Sequence, residues 1–183
     1  MNPINDKTYI GSPDRLRRPE RVDLIQPDKV VRACLNGYEL RSVLDVGTGT
    51  GLFAERFAAL GLEVTGVDRN PDYLEQARHL VPSARFLQKD MDELSFEPGS
   101  FDLVFMGLAF HETDRPEKVL ADCRRIAGKA VCILEWPYLE EDQGPPLHHR
   151  LKPERVTALA ENTGFPDIRT SRIGHMILYT LNK

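Results

Sequence analysis

The chain predicts a doubly wound α/β fold: a mostly parallel sheet covered by helices on both faces. Three observations lead there. Apolar strand-like runs alternate five times with helical patterns, and such alternation builds parallel sheets with right-handed crossovers. A glycine run, Gly47-Thr48-Gly49-Thr50-Gly51, joins the first strand-like run to its helix, as where a ligand lies directly on bare backbone. Two adjacent β-rich segments, Ile168 to Ile173 and Met176 to Leu181, close the chain with Gly174 between them, which adds one antiparallel strand.

Each element follows from its residues. The first eleven residues read as loosely ordered. Pro27 to Leu35 reads as a helix, with Pro27 in the first turn, Val30, Val31, Cys34 and Leu35 on one face, and Gly37 to end it. Val43, Leu44 and Val46 form a buried strand, and Leu52 to Phe57 begins the next helix. Glu63 to Val67 is the second strand, ending in Asp68. Asn70-Pro71 opens a helix with Leu74, Ala77 and Leu80 inward; Asn70 is either its N-cap or a ribose neighbour. Arg85 to Gln88 is a third strand, and Phe101 to Met106 a fourth, apolar enough to be central. Asp114-x-x-Glu117 reads as a capping box for the helix carrying Val119, Leu120, Cys123 and Ile126, closed by Gly128. Ala130 to Leu134 is a fifth strand, and Pro153 to Thr163 the last helix, ending at Gly164. The 183 residues are expected to form one domain: 1–40 a helical cap segment, 41–183 the core.

Composition narrows the function classes. Hydrophobic content of 41% with 28% charged residues fits a soluble globular protein. The longest apolar run, Phe101 to Phe110, is broken by Asp102 and too short to span a bilayer. No basic segment followed by an apolar one opens the chain, so a cytoplasmic protein without a secretory signal is expected. Cys34, Cys123 and Cys132 lie far apart without metal-ligand spacing and read as three reduced thiols. A net charge of −4 gives no general attraction to nucleic acid. Arg15, Arg17, Arg18 and Arg21 form a local basic cluster, readable as a solvated face or as a contact for an anionic substrate.

The glycine register separates cofactors. A dinucleotide fingerprint, Gly-x-Gly-x-x-Gly, would place its third glycine at Leu52, whereas Gly51 comes one residue early. With Asp45 two residues before Gly47, the run resembles motif I of the class I S-adenosylmethionine-dependent methyltransferases. The segment Leu108-Ala109-Phe110-His111-Glu112 resembles the type 11 methyltransferases similar to the ubiquinone/menaquinone biosynthesis enzymes. The Asn/Asp-Pro-Pro-Tyr/Phe motif of enzymes that methylate amide or nucleobase nitrogens is missing there. The resemblance covers roughly residues 40–183. It implies a Rossmann-like seven-stranded sheet with one strand reversed near the C-terminus.

The resemblance also implies S-adenosylmethionine as cofactor and Asp45, Gly47, Thr48, Gly49, Gly51, Asp68, Arg69, Asp90, Met91 and Gly107 around it. Asp68 would accept both ribose hydroxyls. Asp90 would accept from the adenine amino group, with Asp92 as a lesser competitor, and the Met91 N–H would meet the ring. The carboxylates of Asp45 and Asp68 suit a sulfonium and an ammonium, and no Lys or Arg lies between residues 42 and 55. His111, with Glu112 beside it, sits past the fourth strand as a general base, or as a loop histidine that positions the next helix.

Residues 136–152 form a long polar segment expected to act as a lid. Trp136 and Tyr138 would wall an acceptor pocket, and His149 or Arg150 would bind an anionic group. The alternatives are a core role for Trp136 and a salt bridge from Arg150 to Glu140 or Glu141. His111, His148 and His149 lack a ligand motif, so no metal is expected. The expected activity is methyl transfer to a small-molecule acceptor, with no nucleic-acid partner and no membrane span. The alternatives are a non-catalytic S-adenosylmethionine-binding protein, acting as a sensor or partner subunit, and, further off, an NAD(P)-dependent oxidoreductase.

Overall fold

The computed structural model describes residues 6–183. Seven strands form one sheet: β1 (Ser42–Val46), β2 (Glu63–Asp68), β3 (Arg85–Gln88), β4 (Phe101–Gly107), β5 (Ala127–Glu135), β6 (Asp167–Ile173) and β7 (Met176–Asn182). Their order across the sheet is β3-β2-β1-β4-β5-β7-β6. The first five pair in parallel, and β7 runs antiparallel to β5 and β6. The chain thus winds outward from β1 to β3, then returns to lay β4 on the other side of β1. That reversal opens a crevice beyond the carboxyl ends of β1 and β4, where ligands of open α/β sheets bind.

Six helices cover the sheet: α1 (Pro19–Ile25), α2 (Pro27–Leu35), α3 (Leu52–Ala59), α4 (Pro71–Leu80), α5 (Pro116–Ile126) and α6 (Pro153–Thr163). The central strands are buried on both faces, so their alternate side chains feed two cores. On one face Val43, Leu103, Phe105 and Cys132 pack with Val30, Val31, Phe53, Phe57 and Leu74. On the other, Leu44, Val104, Met106 and Ile133 pack with Leu120, Ile126, Val156 and Leu159. Phe105 anchors α3 through Phe53 and Phe57, with ring centroids 4.8 Å and 5.3 Å away. The three cysteines are free and buried.

The ends of α5 differ from expectation. Its first residue is Pro116, and Arg115 at the N-cap makes no side-chain cap. Asp114 pairs instead with Lys7 at 2.7 Å, and Thr113 Oγ1 accepts the Arg115 N–H. Nor does Gly128 end the helix: β5 starts at Ala127, directly after Ile126, with Gly128 inside the strand. Near the N-terminus, a 3₁₀ turn at Pro13–Arg17 and α1 precede the predicted helix. Each opens on a proline, whose fixed φ suits a first helical turn. Residues 1–5 of the stretch expected to be loosely ordered lie outside the described residues.

Candidate functional site

A cleft of about 1650 Å³ opens at the carboxyl ends of β1, β2 and β4 and is roofed by residues 6–24 and by the loop after β5. Its floor is the glycine loop. Gly47 and Thr48 donate their N–H groups to Val67 O at 2.9 and 3.0 Å, which ties the loop to β2. Gly47 has φ +69° and lines the cleft; a Cβ there would stand 2.5 Å from that of Ala109. Gly107 lines it too, and a Cβ on it would meet the Phe53 ring at 2.6 Å. Backbone is therefore bare where β1 and β4 meet the cleft.

Four of the predicted acids line this space, Asp68, Asp90, Asp92 and Glu112, and the first two have acceptor oxygens to spare for a ligand. Asp68 accepts the Gly49 N–H on Oδ2 at 2.8 Å and the Asn70 N–H on Oδ1 at 2.9 Å. Burial raises its pKa, partly opposed by those bonds. The Arg69 N–H reaches the same carboxylate, which lines the cleft with its remaining acceptor capacity. Asp90 accepts the Asp92 N–H on Oδ1 at 3.0 Å, while its Oδ2 is buried with no hydrogen-bond partner among the described residues. The Arg69 guanidinium stands 4.0 Å from that oxygen. A buried, unfilled acceptor on a cleft wall is where a ligand amino group fits. Met91 also lines the cleft, as does Asn70, which at the same time caps α4 by accepting the Asp72 N–H.

Asp45 and Gly51 stand behind this surface and do not line it. Asp45 is fully buried; it accepts the Thr48 hydroxyl at 2.6 Å and the Ala54 N–H, and burial pushes its pKa up to about 7. It clasps the glycine loop to α3. Gly51, φ +78°, lets α3 approach Ala77, Phe86 and Val81. Thr48 does line the cleft.

β4 ends in a constrained turn. Leu108 takes φ +60°, a left-handed conformation costing a branched side chain about 1–3 kcal/mol. Its N–H donates to Leu134 O at 2.8 Å, which holds the turn against β5. The turn delivers His111, 5% exposed, onto the cleft beside a buried carboxylate that the sequence reading did not assign: Glu135, 1% exposed. The His111 Nδ1 lies 2.9 Å from Glu135 Oε2 and 3.1 Å from Oε1. Glu135 also accepts the N–H groups of His111 and Trp136. Burial alone would lower the imidazole pKa, but the Glu135 charge and hydrogen bond outweigh it, and the pKa is raised. With Nδ1–H committed to Glu135, Nε2 is the ring nitrogen left to the cleft. Glu112, next to it, accepts the Tyr9 N–H, and burial pushes its pKa up to about 7. The signal for Glu135 was legible: an acid ending the apolar run Val131 to Leu134, at the same rim as His111.

The loop after β5 is packed rather than open. The Arg150 side chain is fully buried and donates to Pro145 O at 2.8 Å, to Pro137 O at 3.1 Å, to Gln143 O and to Glu141. It also lies over the Trp136 ring, 5.4 Å from the centroid. These contacts occupy the guanidinium, and through them Arg150 organises the loop. Tyr138 points away from the cleft, under Lys152. Trp136 and His149 do line it, and His149 Nε2 lies 3.8 Å from Asp6. Among the described residues no group of His, Cys, Asp and Glu has the makings of a metal site. No helix among them is long and apolar enough to cross a membrane.

Comparison with known proteins follows this geometry. Residues 44–131 match the model of a methyltransferase domain family. A demethylmenaquinone methyltransferase of Renibacterium salmoninarum is 33% identical over 98 residues, 52% of this chain and 41% of the relative. A ubiquinone biosynthesis O-methyltransferase of Thiobacillus denitrificans is 34% identical over 91 residues, 47% of this chain and 39% of the relative. The chain thus spans about two fifths of the length of these relatives. A crystal structure of a SAM-dependent methyltransferase from Aquifex aeolicus superposes with a TM-score of 0.77 at 25% identity, covering 94% of this chain and 98% of that one. The glycine floor, the strand order and these matches agree, and in fold and in residues 44–131 the chain is similar to S-adenosylmethionine-dependent methyltransferases.

Proposed function

We propose that the cleft binds S-adenosylmethionine and that the chain transfers its methyl group to a small acceptor standing against His111. One observation carries the reading: the buried His111–Glu135 pair opens onto the same cleft as Asp68, Asp90 and the glycine floor. The residues fit the cofactor, since the Asp68 carboxylate, held by backbone N–H groups, faces the cleft as an acceptor for ribose hydroxyls and Asp90 Oδ2 lacks the donor that an adenine amino group provides. Bound there, S-adenosylmethionine supplies a methyl group activated by its sulfonium.

The protein's own share is orientation, exclusion of water and movement of one proton. Trp136 and the Leu108 turn wall the acceptor. His111 Nε2 takes the acceptor's proton, a contribution typically worth ~10²–10⁴-fold. Glu135 keeps the proton on Nδ1 and stabilises the imidazolium that forms. Relatives named for demethylmenaquinone and for ubiquinone biosynthesis support a quinone-type small molecule as the first acceptor to assay. The cytoplasm is the proposed location, which the three free buried thiols support. Of the described residues, 6–40 act as cap and 41–183 as core of one domain.

Calorimetric titration tests the cofactor directly. S-adenosylhomocysteine should bind and NAD should give no heat. Heat from NAD alone would overturn the reading.

A further inference from the structure

Of the basic cluster Arg15, Arg17, Arg18 and Arg21, Arg17 alone does not line the cleft. Its guanidinium grips the glycine loop instead. Nη2 donates to Thr50 O at 2.9 Å, and Nε lies 3.3 Å from both Thr50 O and Thr50 Oγ1. Nη1 donates to Glu55 Oε2 at 2.6 Å, in the first turn of α3. The same 3₁₀ turn sets Leu16 3.1 Å from where a Cβ of Gly49 would stand. The loop's own bonds explain the need for this grip. Gly47, Gly49 and Gly51 all take positive φ, and glycine loses the most conformational freedom when a loop is ordered. The core holds the first half: the N–H groups of Gly47, Thr48 and Gly49 donate to Val67 O and Asp68, and the Thr48 hydroxyl donates to Asp45. Past Gly49 the support changes side. Thr50, 1% exposed, is held by Arg17, and α3 begins without a side-chain N-cap. Arg56 also pairs with Glu55, at 2.7 Å, so Glu55 keeps a counter-ion when Arg17 is removed.

We propose that Arg17 is a positioning residue for the methyl donor: from the N-terminal segment it fixes the second half of the glycine loop in its ligand-binding form, without touching the ligand. A planar fork serves carbonyl, hydroxyl and carboxylate at once, which the point charge of a lysine does not. The coupling is reciprocal, so a ligand that binds the ordered loop tightens the hold of residues 6–25 on the core by the same factor. The ligand part of the inference rests on the methyl-transfer reading of the cleft, and the loop part stands without it.

Amide hydrogen exchange and calorimetry on wild type, Arg17→Gln and Arg17→Lys test this. Without ligand, the Gly49 and Gly51 amides, bonded to Asp68 and to Thr48 O, should exchange about tenfold or more faster in Arg17→Gln, while Val104 and Phe105 in β4 stay within about twofold. S-adenosylhomocysteine should bind about tenfold more weakly to Arg17→Gln, with Arg17→Lys in between, as loss of charge-assisted hydrogen bonds to the loop requires. In wild type the ligand should also slow exchange of the Val22 and Gln26 amides, which are bonded to Arg18 O and Val22 O. At equal saturation Arg17→Gln should lose that protection, which a merely structural arginine would leave in place. Unchanged loop exchange, a rise shared by β4, unchanged affinity, or full ligand protection of Val22 and Gln26 in the variant overturns the proposal. If wild-type protein binds no S-adenosylhomocysteine, the cofactor reading fails by itself. Loop exchange then decides alone: a rise confined to Gly49 and Gly51 supports the role of Arg17, and its absence overturns it.

Discussion

Asp68→Ala is expected to weaken S-adenosylhomocysteine by about 10²-fold or more, the equivalent of losing two hydrogen bonds to a charged acceptor at roughly 1.5–3 kcal/mol each. Two effects act together. The ribose loses its acceptors, and the N–H groups of Gly49 and Asn70 lose theirs, so the glycine loop and the α4 cap loosen at once. Asp68→Asn separates them, because its amide oxygen still accepts one backbone N–H. It should fall between wild type and alanine. Calorimetry reads the affinities, and an alanine variant within about twofold of wild type would remove Asp68 from the site.

His111→Asn should lower turnover by about 10²-fold or more while leaving S-adenosylhomocysteine affinity within a few-fold, because the imidazole acts on the acceptor. The pH profile gives the sharper test. A general base works only when neutral, so kcat/KM falls as pH drops through the pKa of the folded protein. Glu135 raises that pKa above the ordinary 6.5, so the wild-type limb should lie above this value. Glu135→Gln removes the raising charge and leaves burial, so the limb should move to lower pH, with reduced turnover. Glu112 titrates at about 7 and would overlap. Glu112→Gln should therefore keep the limb; its disappearance in that variant would transfer the base role to Glu112.

The parts legible in the sequence were those governed by local pattern. The glycine register, the end of β2 at Asp68, the alternation of elements and the closing hairpin are set by near neighbours, and the structure reproduces them. What the sequence hid depends on partners far along the chain. Asp114 reads as a cap until Lys7 takes it; Arg150 reads either as an anion binder or as a partner of Glu140 or Glu141, and only the fold adds the Pro137, Pro145 and Gln143 carbonyls that saturate it beside Glu141. Asp45, expected at the ligand, turns inward because Thr48 and Ala54 offer donors behind the loop. Glu135 is the opposite case. Its place at the rim is legible from the apolar run it ends, and its pairing with His111 emerges when β5 pairs with β4 and sets the carboxylate beside the turn carrying that residue. The left-handed Leu108 that aims this turn has no glycine to announce it.

A crystal structure with S-adenosylhomocysteine tests the central claim most directly. The account predicts the adenine amino group within hydrogen-bond distance of Asp90 Oδ2, the ribose hydroxyls on Asp68, and the sulfur facing the side of the cleft that holds His111. A nucleoside bound away from Asp68 and Asp90, or a sulfur turned from His111 toward solvent, would contradict it.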